Sequence, residues 1–353
     1  MSGIDYPFVS VIVLNYNGIR YLKDLFESLC KTTYPQKSYE VIMGDNASTD
    51  NSVSYTQNNF PFVKVLRFDK NYGFCKGNNL CVKHTRGQYL VFLNTDIVVT
   101  PDWLKTLVNS VRRDKDVIVA GAKLLKPCEA NGKKIIDYAG GKITYEIGYY
   151  EGYGEPDSKE YSFRKYTGFG CGAAVIVERQ FFVNIGGFDE YYFGGGEEVE
   201  LGLRAWQYGY KVLYEPSSVI YHLRYGTFKR ADPYPTYAWT KSMYYFIFKN
   251  FEKKNAFFYC WESIILTHLP KMFLFILNKE LGMFQSVLKG NIDFLFELKS
   301  KKVLERILQA RDQINKNSKK SDKALSELKI TTTFKERLNY RVKMYTNWKS
   351  GRN

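Results

Sequence analysis

YLVFLNTDIVVTP, residues 89–101, decides how the chain folds. Leu90 to Leu93 is an unbroken apolar run, the pattern of a strand covered on both faces in a parallel sheet. The run passes straight into Asn94, Thr95 and Asp96 before apolar residues resume at Ile97. Burying an unpaired carboxylate costs several kcal/mol, so Asp96 needs a partner that the strand does not supply. Thr100-Pro101-Asp102 then looks like a helix start, with Thr100 as N-cap and Pro101 at the first helical position.

The same rhythm extends in both directions. FVSVIVLNYN (8–17), YEVIMGDN (39–46) and VKVLRF (63–68) read as three earlier strands, and VIVAGAKLL (117–125) and CGAAVIVER (171–179) as two later ones. Between the first two, Ile19, Leu22, Leu25, Phe26 and Leu29 recur at helical spacing; a helix is expected through 74–85 and another over 196–210. Alternating strands and helices predict an α/β, mostly parallel, doubly wound sheet. Residues 127–165 break into short Gly- and Tyr-rich pieces, read as a meander or lid. Ligands of open α/β sheets bind beyond the carboxyl ends of the strands. Polar clusters sit at four of those ends: Asn15-Tyr16-Asn17, Asp45 to Asp50, the segment from Asn71 to Asn79, and Asn94-Thr95-Asp96. Asp45 to Asp50 alone is equally a turn and helix cap; four such sets in order are harder to explain as loop chemistry.

The chain has 353 residues, 45% of them apolar and 17% aromatic, enough for a large α/β domain and an appendage. Its net charge of +15 is unevenly placed. Residues 1–228 hold 26 Lys and Arg against 25 Asp and Glu, whereas residues 229–353 hold 25 against 11, net +14. We therefore divide the chain into a balanced front domain, 1–228, and a basic, aromatic-rich helical region, 229–353. Cys30, Cys75, Cys81, Cys128, Cys171 and Cys260 include no CxxC pair and read as reduced core thiols of a cytosolic protein. His84, His222 and His268 do not cluster with them, which argues against a zinc site. Residues 1–8 lack the shape of a signal peptide.

VSVIVLNYNG, VIMGDNASTDNS, NYGFCKGNN, VFLNTD and GGFDEYYFGGGEEVELGLRAWQYGY together resemble family 2 glycosyltransferases, over roughly residues 8–228 and with their motifs in order. The branch of rhamnosyl- and galactofuranosyltransferases is the most similar. The resemblance implies the GT-A fold, a Rossmann-like nucleotide-binding sheet flanked by helices, here with a C-terminal helical appendage. It implies transfer of a sugar from a pyrimidine nucleotide-sugar, dTDP-rhamnose or a UDP-sugar, to a hydroxyl of a surface or lipid-linked glycan, with inversion and a divalent cation, Mg2+ or Mn2+. Asp96 matches the last aspartate of the Asp-X-Asp motif that holds this metal. Asn94 stands where the first aspartate is usual, which keeps an oxygen donor and loses a charge.

By the same matching, Asp45 contacts the pyrimidine base, Asn15 lines its pocket, and Asn71, Gly73 and Phe74 form a loop over the nucleoside. Glu198 falls on the general base, where most relatives carry Asp, and Glu197 is the alternative. His222 falls on a histidine that some relatives use for the metal or diphosphate, although a lone histidine is otherwise more often a satisfied core residue. Asp189 belongs near the acceptor or in a turn, and Arg204 orders its helix by pairing with a carboxylate. The departures at positions 94 and 198 keep open a different class, a GT-A protein that binds nucleotide without turnover.

The back end carries a further choice. FFYCWESIILTHLPKMFLFIL, from residue 257, is long enough to span a bilayer, but Glu262, His268, Pro270 and Lys271 interrupt it. Its basic, aromatic composition fits lying on an anionic membrane surface, at the inner face of the cell membrane. Packing on the transferase domain, or pairing of two copies through these helices, is the plainer reading. Nucleic acid is not expected, since no nucleic-acid motif accompanies the charge. Residues 315–329 look like a flexible linker or a poorly ordered helix before a basic tail.

Overall fold

In the computed structural model, residues 6–130, 132–144, 148–223, 233–321, 325, 335–336 and 338–339 are described. The described residues form two compact units, one from residues up to 141 together with 150–226, the other from 142–149 together with those after 227.

The first unit begins β1 (Val9–Asn15), α1 (Ile19–Cys30), β2 (Tyr39–Asp45), α2 (Ser52–Asn59), β3 (Val63–Arg67), α3 (Gly73–Val82), β4 (Tyr89–Leu93), β5 (Ile97–Val99) and α4 (Trp103–Arg112). It continues with β6 (Val117–Ala130), β7 (Lys133–Tyr138), β8 (Gly141–Lys142), β9 (Tyr149–Tyr150), β10 (Lys165–Tyr166), β11 (Ala174–Glu178), α5 (Arg179–Asn184), α6 (Glu197–Gln207) and β12 (Lys211–His222). One sheet has the order β10-β12-β6-β11-β4-β1-β2-β3, with β5 on β12 and β7 on β6.

The apolar runs become its middle. All five residues of β4 are buried, between β1 on one side and β11 on the other. Leu22, Leu25, Phe26 and Leu29 of α1 are fully buried at their helical spacing. β1, β2, β3 and β4 pair in parallel, but β11 runs antiparallel to both β4 and β6. Buried strands show the same apolar run whichever way they point, so periodicity could not reveal this reversal.

Two local expectations need correction. The helix after β5 starts at Trp103 with Asp102 at its N-cap position. The Thr100 hydroxyl donates instead to the Val219 carbonyl of β12 at 2.7 Å. Of the cysteines, all free, Cys30 and Cys128 are exposed rather than part of the core.

The second unit contains α7 (Pro233–Asn250), α8 (Lys253–Ser263), a π-helical turn (Ile264–His268), α9 (Leu269–Leu277), α10 (Leu281–Lys299) and α11 (Lys301–Asn317). Tyr245, Phe246 and Ile247 of α7 and Val287 of α10 are fully buried, and Ile307 and Ile314 of α11 are 4% and 3% exposed. Tyr244 stacks on Phe294 at 5.3 Å. Residues 315–317, at the start of the stretch read as a linker or a helix, end α11; most of the rest of that stretch and the basic tail lie outside the described residues.

Candidate active site

Parallel pairing sets Asn15 directly beside Asp45 at the carboxyl ends of β1 and β2. Asn15 Nδ2 donates to Asp45 Oδ1 at 2.9 Å and to Ser48 Oγ at 3.0 Å. The Ser48 amide and hydroxyl donate to Asp45 at 3.0 and 2.6 Å. This buried carboxylate is thus satisfied by three donor contacts, two of them from Ser48, which closes the group. Asn15 Oδ1 is buried with no hydrogen-bond partner among the described residues. Asp50, by contrast, takes the capping role, accepting from the Ile19 and Ser52 amides.

The loop before α3 is held by its own polar groups. Asn71 Oδ1 accepts from the Gly73 amide at 2.9 Å, and Asn46 Nδ2 donates to the Gly73 carbonyl at 3.2 Å. Gly73 has φ +73°, and a Cβ there would meet the Phe193 carbonyl oxygen at 2.6 Å, so only glycine fits. The Phe74 ring lies 5.9 Å from that of Phe188.

The question raised by Asp96 is answered by β12. His222 pairs with Ile97 in the antiparallel β5–β12 ladder, which brings His222 Nε2 to 3.4 Å from Asp96 Oδ1. On the other ring nitrogen, Nδ1 lies 2.8 Å from Asp137 Oδ2. Asp137 is the penultimate residue of β7 and is fully buried. Burial works to lower the His222 pKa, but the hydrogen bonds and charges of Asp137 and Asp96 prevail and raise it. The cleft between Asp96 and His222 therefore favours positive charge. Sequence reasoning missed Asp137 because it fell in the presumed meander; an aspartate closing the apolar pair Ile135-Ile136 is the signal that would have found it.

Residues 168–173 link this corner to the acidic helix. The Asn94 amide donates to the Ala173 carbonyl at 3.1 Å, and a Cβ on Gly172 would stand 3.5 Å from Glu198 Cβ. α6 follows two glycines with φ +96° and +99°, Gly195 and Gly196, and opens with Glu197, Glu198 and Glu200 in its first turn. Carboxylates are favoured at a helix N-terminus. The three then diverge. Glu200 pairs with Arg204 at 2.9 Å. Glu198 Oε1 accepts from the Tyr150 hydroxyl at 2.9 Å, while its Oε2 has no partner among the described residues. Glu197 is 7% exposed.

Burial raises the pKa of both Glu197 and Glu198. The charge of Glu198 pushes Glu197 further up, whereas the Tyr150 hydroxyl favours the ionised form of Glu198. Cys171, 3.7 Å from the Tyr150 hydroxyl, is no nucleophile: burial and then the charge of Glu198 push its thiol up to about 12. Asp189 forms a turn, accepting from the Tyr191 amide at 2.9 Å.

Among the described residues no three His, Cys, Asp or Glu side chains converge on one point. Asp96 and His222 are two potential ligands, an oxygen and a nitrogen. That set fits Mn2+ or Mg2+, which are commonly held by one or two protein groups with phosphate and water completing the shell.

Residues 10–173 match the family described as Glycosyl transferase family 2. Over 242 residues, 65% of the chain, it is 31% identical to the O-antigen biosynthesis protein RfbC of Myxococcus xanthus, covering 18% of that protein. The chain thus spans about a fifth of that relative's length. Its fold is similar to that of GalNAc-T7 solved with UDP, GalNAc and Mn2+, with a TM-score of 0.59 and 19% identity, over 72% of this chain and 50% of that one. It is also similar to residues 1–349 of TarS from S. aureus in complex with UDP-GlcNAc, with a TM-score of 0.55 and 16% identity, over 88% of this chain and 89% of that one.

Proposed function

We propose that this chain, which carries a family 2 glycosyltransferase domain on a GT-A fold, is an inverting, metal-dependent hexosyltransferase. The donor is a pyrimidine nucleotide-sugar, a UDP-sugar or dTDP-rhamnose. The acceptor is a hydroxyl of a surface or lipid-linked glycan, met by a cytoplasmic enzyme at the inner face of the cell membrane. The observation that carries this reading is the placement of two acidic groups on either side of residues 168–173. Asp96 faces His222 on one side, and Glu198 stands with one buried oxygen open on the other.

In the mechanism Glu198 takes the proton from the acceptor hydroxyl as that oxygen attacks the anomeric carbon. The new carbon–oxygen bond forms as the bond to the diphosphate breaks, and the nucleoside diphosphate leaves with the bonding electrons. Tyr150 holds the other carboxylate oxygen, so that Glu198 Oε2 receives the proton. Asp96 and His222 would hold the divalent cation, which when bound offsets the charge developing on the diphosphate. Asn94 lies alongside. Asp45 accepts the ring N–H of the pyrimidine in place of the Ser48 hydroxyl, Asn15 lines the base pocket, and Asn71, Gly73 and Phe74 close over the nucleoside. The buried carboxylate pair favours turnover over nucleotide binding alone, because a non-catalytic protein gains nothing from an open, buried Glu198 oxygen. The reading is tested by incubating the protein with UDP- and dTDP-sugars and glycan acceptors and assigning the product by NMR. The linkage should have the anomeric configuration opposite to the donor's; a retained configuration contradicts it.

Asp137 fixes the tautomer of His222 and aims Nε2 at Asp96. Losing such an outer partner typically weakens a metal site by about 10–100-fold. Asp137→Asn should therefore weaken Mn2+ binding in the presence of UDP by that factor, read by electron paramagnetic resonance, with the circular dichroism spectrum unchanged. An affinity within twofold of wild type would leave Asp137 a core residue only.

A further inference from the structure

We propose that the helical unit docks on an anionic lipid bilayer through one apolar face, with the helix from Lys253 to Leu277 lying in the interface rather than crossing it. This deepens the membrane-surface location proposed above and names the residues that make it. The helix has 25 residues and contains an 18-residue stretch with a mean hydropathy of 1.3, long and apolar enough to span. Its two faces are unlike. On one, Ser263 is fully buried, and Glu262, Thr267 and His268 are buried with it. His268 Nδ1 lies 3.0 Å from the Tyr244 hydroxyl of α7 and 2.8 Å from Asn291 Oδ1 of α10. A helix surrounded by lipid would have to leave this polar network or carry it into hydrocarbon, where each unsatisfied group costs several kcal/mol.

On the other face, Phe257, Trp261, Ile265, Leu269, Phe273 and Leu277 recur every fourth residue, and each is between 51% and 65% exposed. Four residues of α-helix advance about 40° beyond a full turn, so such a row would wind around a straight helix. The wider π-helical turn at Ile264–His268 takes back part of that winding. An exposed apolar row of this length marks an interaction site.

Charge selects the occupant. Lys253 and Lys254 at one end and Lys279 beyond the other are exposed, exposed Glu252 offsets one of them by pairing with Lys254 at 3.8 Å, and Glu262, the helix's one acid, is buried. Aromatic and aliphatic groups on one face with lysines at the flanks are what an interfacial helix presents to anionic headgroups. A second copy would bring one net +14 region against another.

The test is co-sedimentation of the full chain with vesicles of phosphatidylcholine alone or mixed with phosphatidylglycerol, followed by an alkaline carbonate wash. The protein should prefer the anionic vesicles and be released by carbonate. Salt should weaken binding without abolishing it, because exposed charges are screened and apolar insertion is not. Trp261→Ser with Phe273→Ser should weaken binding about tenfold or more. Folding of this variant is checked by circular dichroism, and Lys253→Gln with Lys254→Gln provides a second variant that leaves the apolar row intact and should reduce the anionic preference. Retention after carbonate would mean a spanning helix and overturn the proposal. So would absence of vesicle binding, or a dimer seen by light scattering that the Ser variant abolishes while vesicle binding persists. None of these measurements uses sugar transfer, so a failed donor assay leaves them standing.

Discussion

Glu198→Gln should retain donor affinity and lose about 10²–10⁴-fold in turnover, the usual contribution of a general base. The amide keeps the shape and cannot take the acceptor's proton. Glu197→Gln should cost less than tenfold, because the carboxylate held by the Tyr150 hydroxyl is that of Glu198. Single-turnover rates and calorimetric donor affinities separate chemistry from binding. A loss below tenfold in Glu198→Gln would move the role to Glu197 or to solvent. The pH profile adds a signed check. Burial raises the Glu198 pKa, so activity should rise with pH through a limb above the ordinary carboxylate range. Tyr150 favours the ionised form; Tyr150→Phe should shift that limb to higher pH.

Asp96→Ala should abolish transfer and the metal-dependent part of nucleoside diphosphate binding. The turn itself should survive, because the Asp96 carbonyl still accepts from the Leu223 amide at 2.9 Å and the β5–β12 ladder remains. In wild type, chelation should reduce turnover to background, and added Mn2+ or Mg2+ should restore it. Wild-type activity that persists in chelator would remove the metal from the mechanism, whatever the variant does.

The front of the sheet was legible because its signals are local. The run in β1 and the helical spacing of α1 each follow from a few adjacent residues. So does the position of Asp96 at a strand end, since an apolar run stopping at a carboxylate marks a place where something must be paired. The partners of Asp96 were not legible in the same way. Asp137 lies 41 residues further on in a region of broken pattern, and it meets His222 only because β7 and β12 both pair with β6. Tyr150 likewise reaches Glu198 across 48 residues. The reversed direction of β11 was hidden because a buried strand has no polar face. The start of α4 shifted because Thr100 found a tertiary acceptor in Val219, a contact that outweighs cap preference. In the second unit, composition indicated helices and basic charge, while the separation of buried His268 from exposed Phe273 needed the packed structure.

The central claim is a metal-dependent site for a pyrimidine nucleotide, and calorimetry tests it most directly. UDP, dTDP, GDP and ADP should be titrated into the full chain with Mn2+ and again in chelator. The account predicts that UDP or dTDP binds in Mn2+, that this binding is lost in chelator and in Asp96→Ala, and that neither purine nucleotide competes. Tighter binding of GDP or ADP, or pyrimidine binding indifferent to metal, would contradict it.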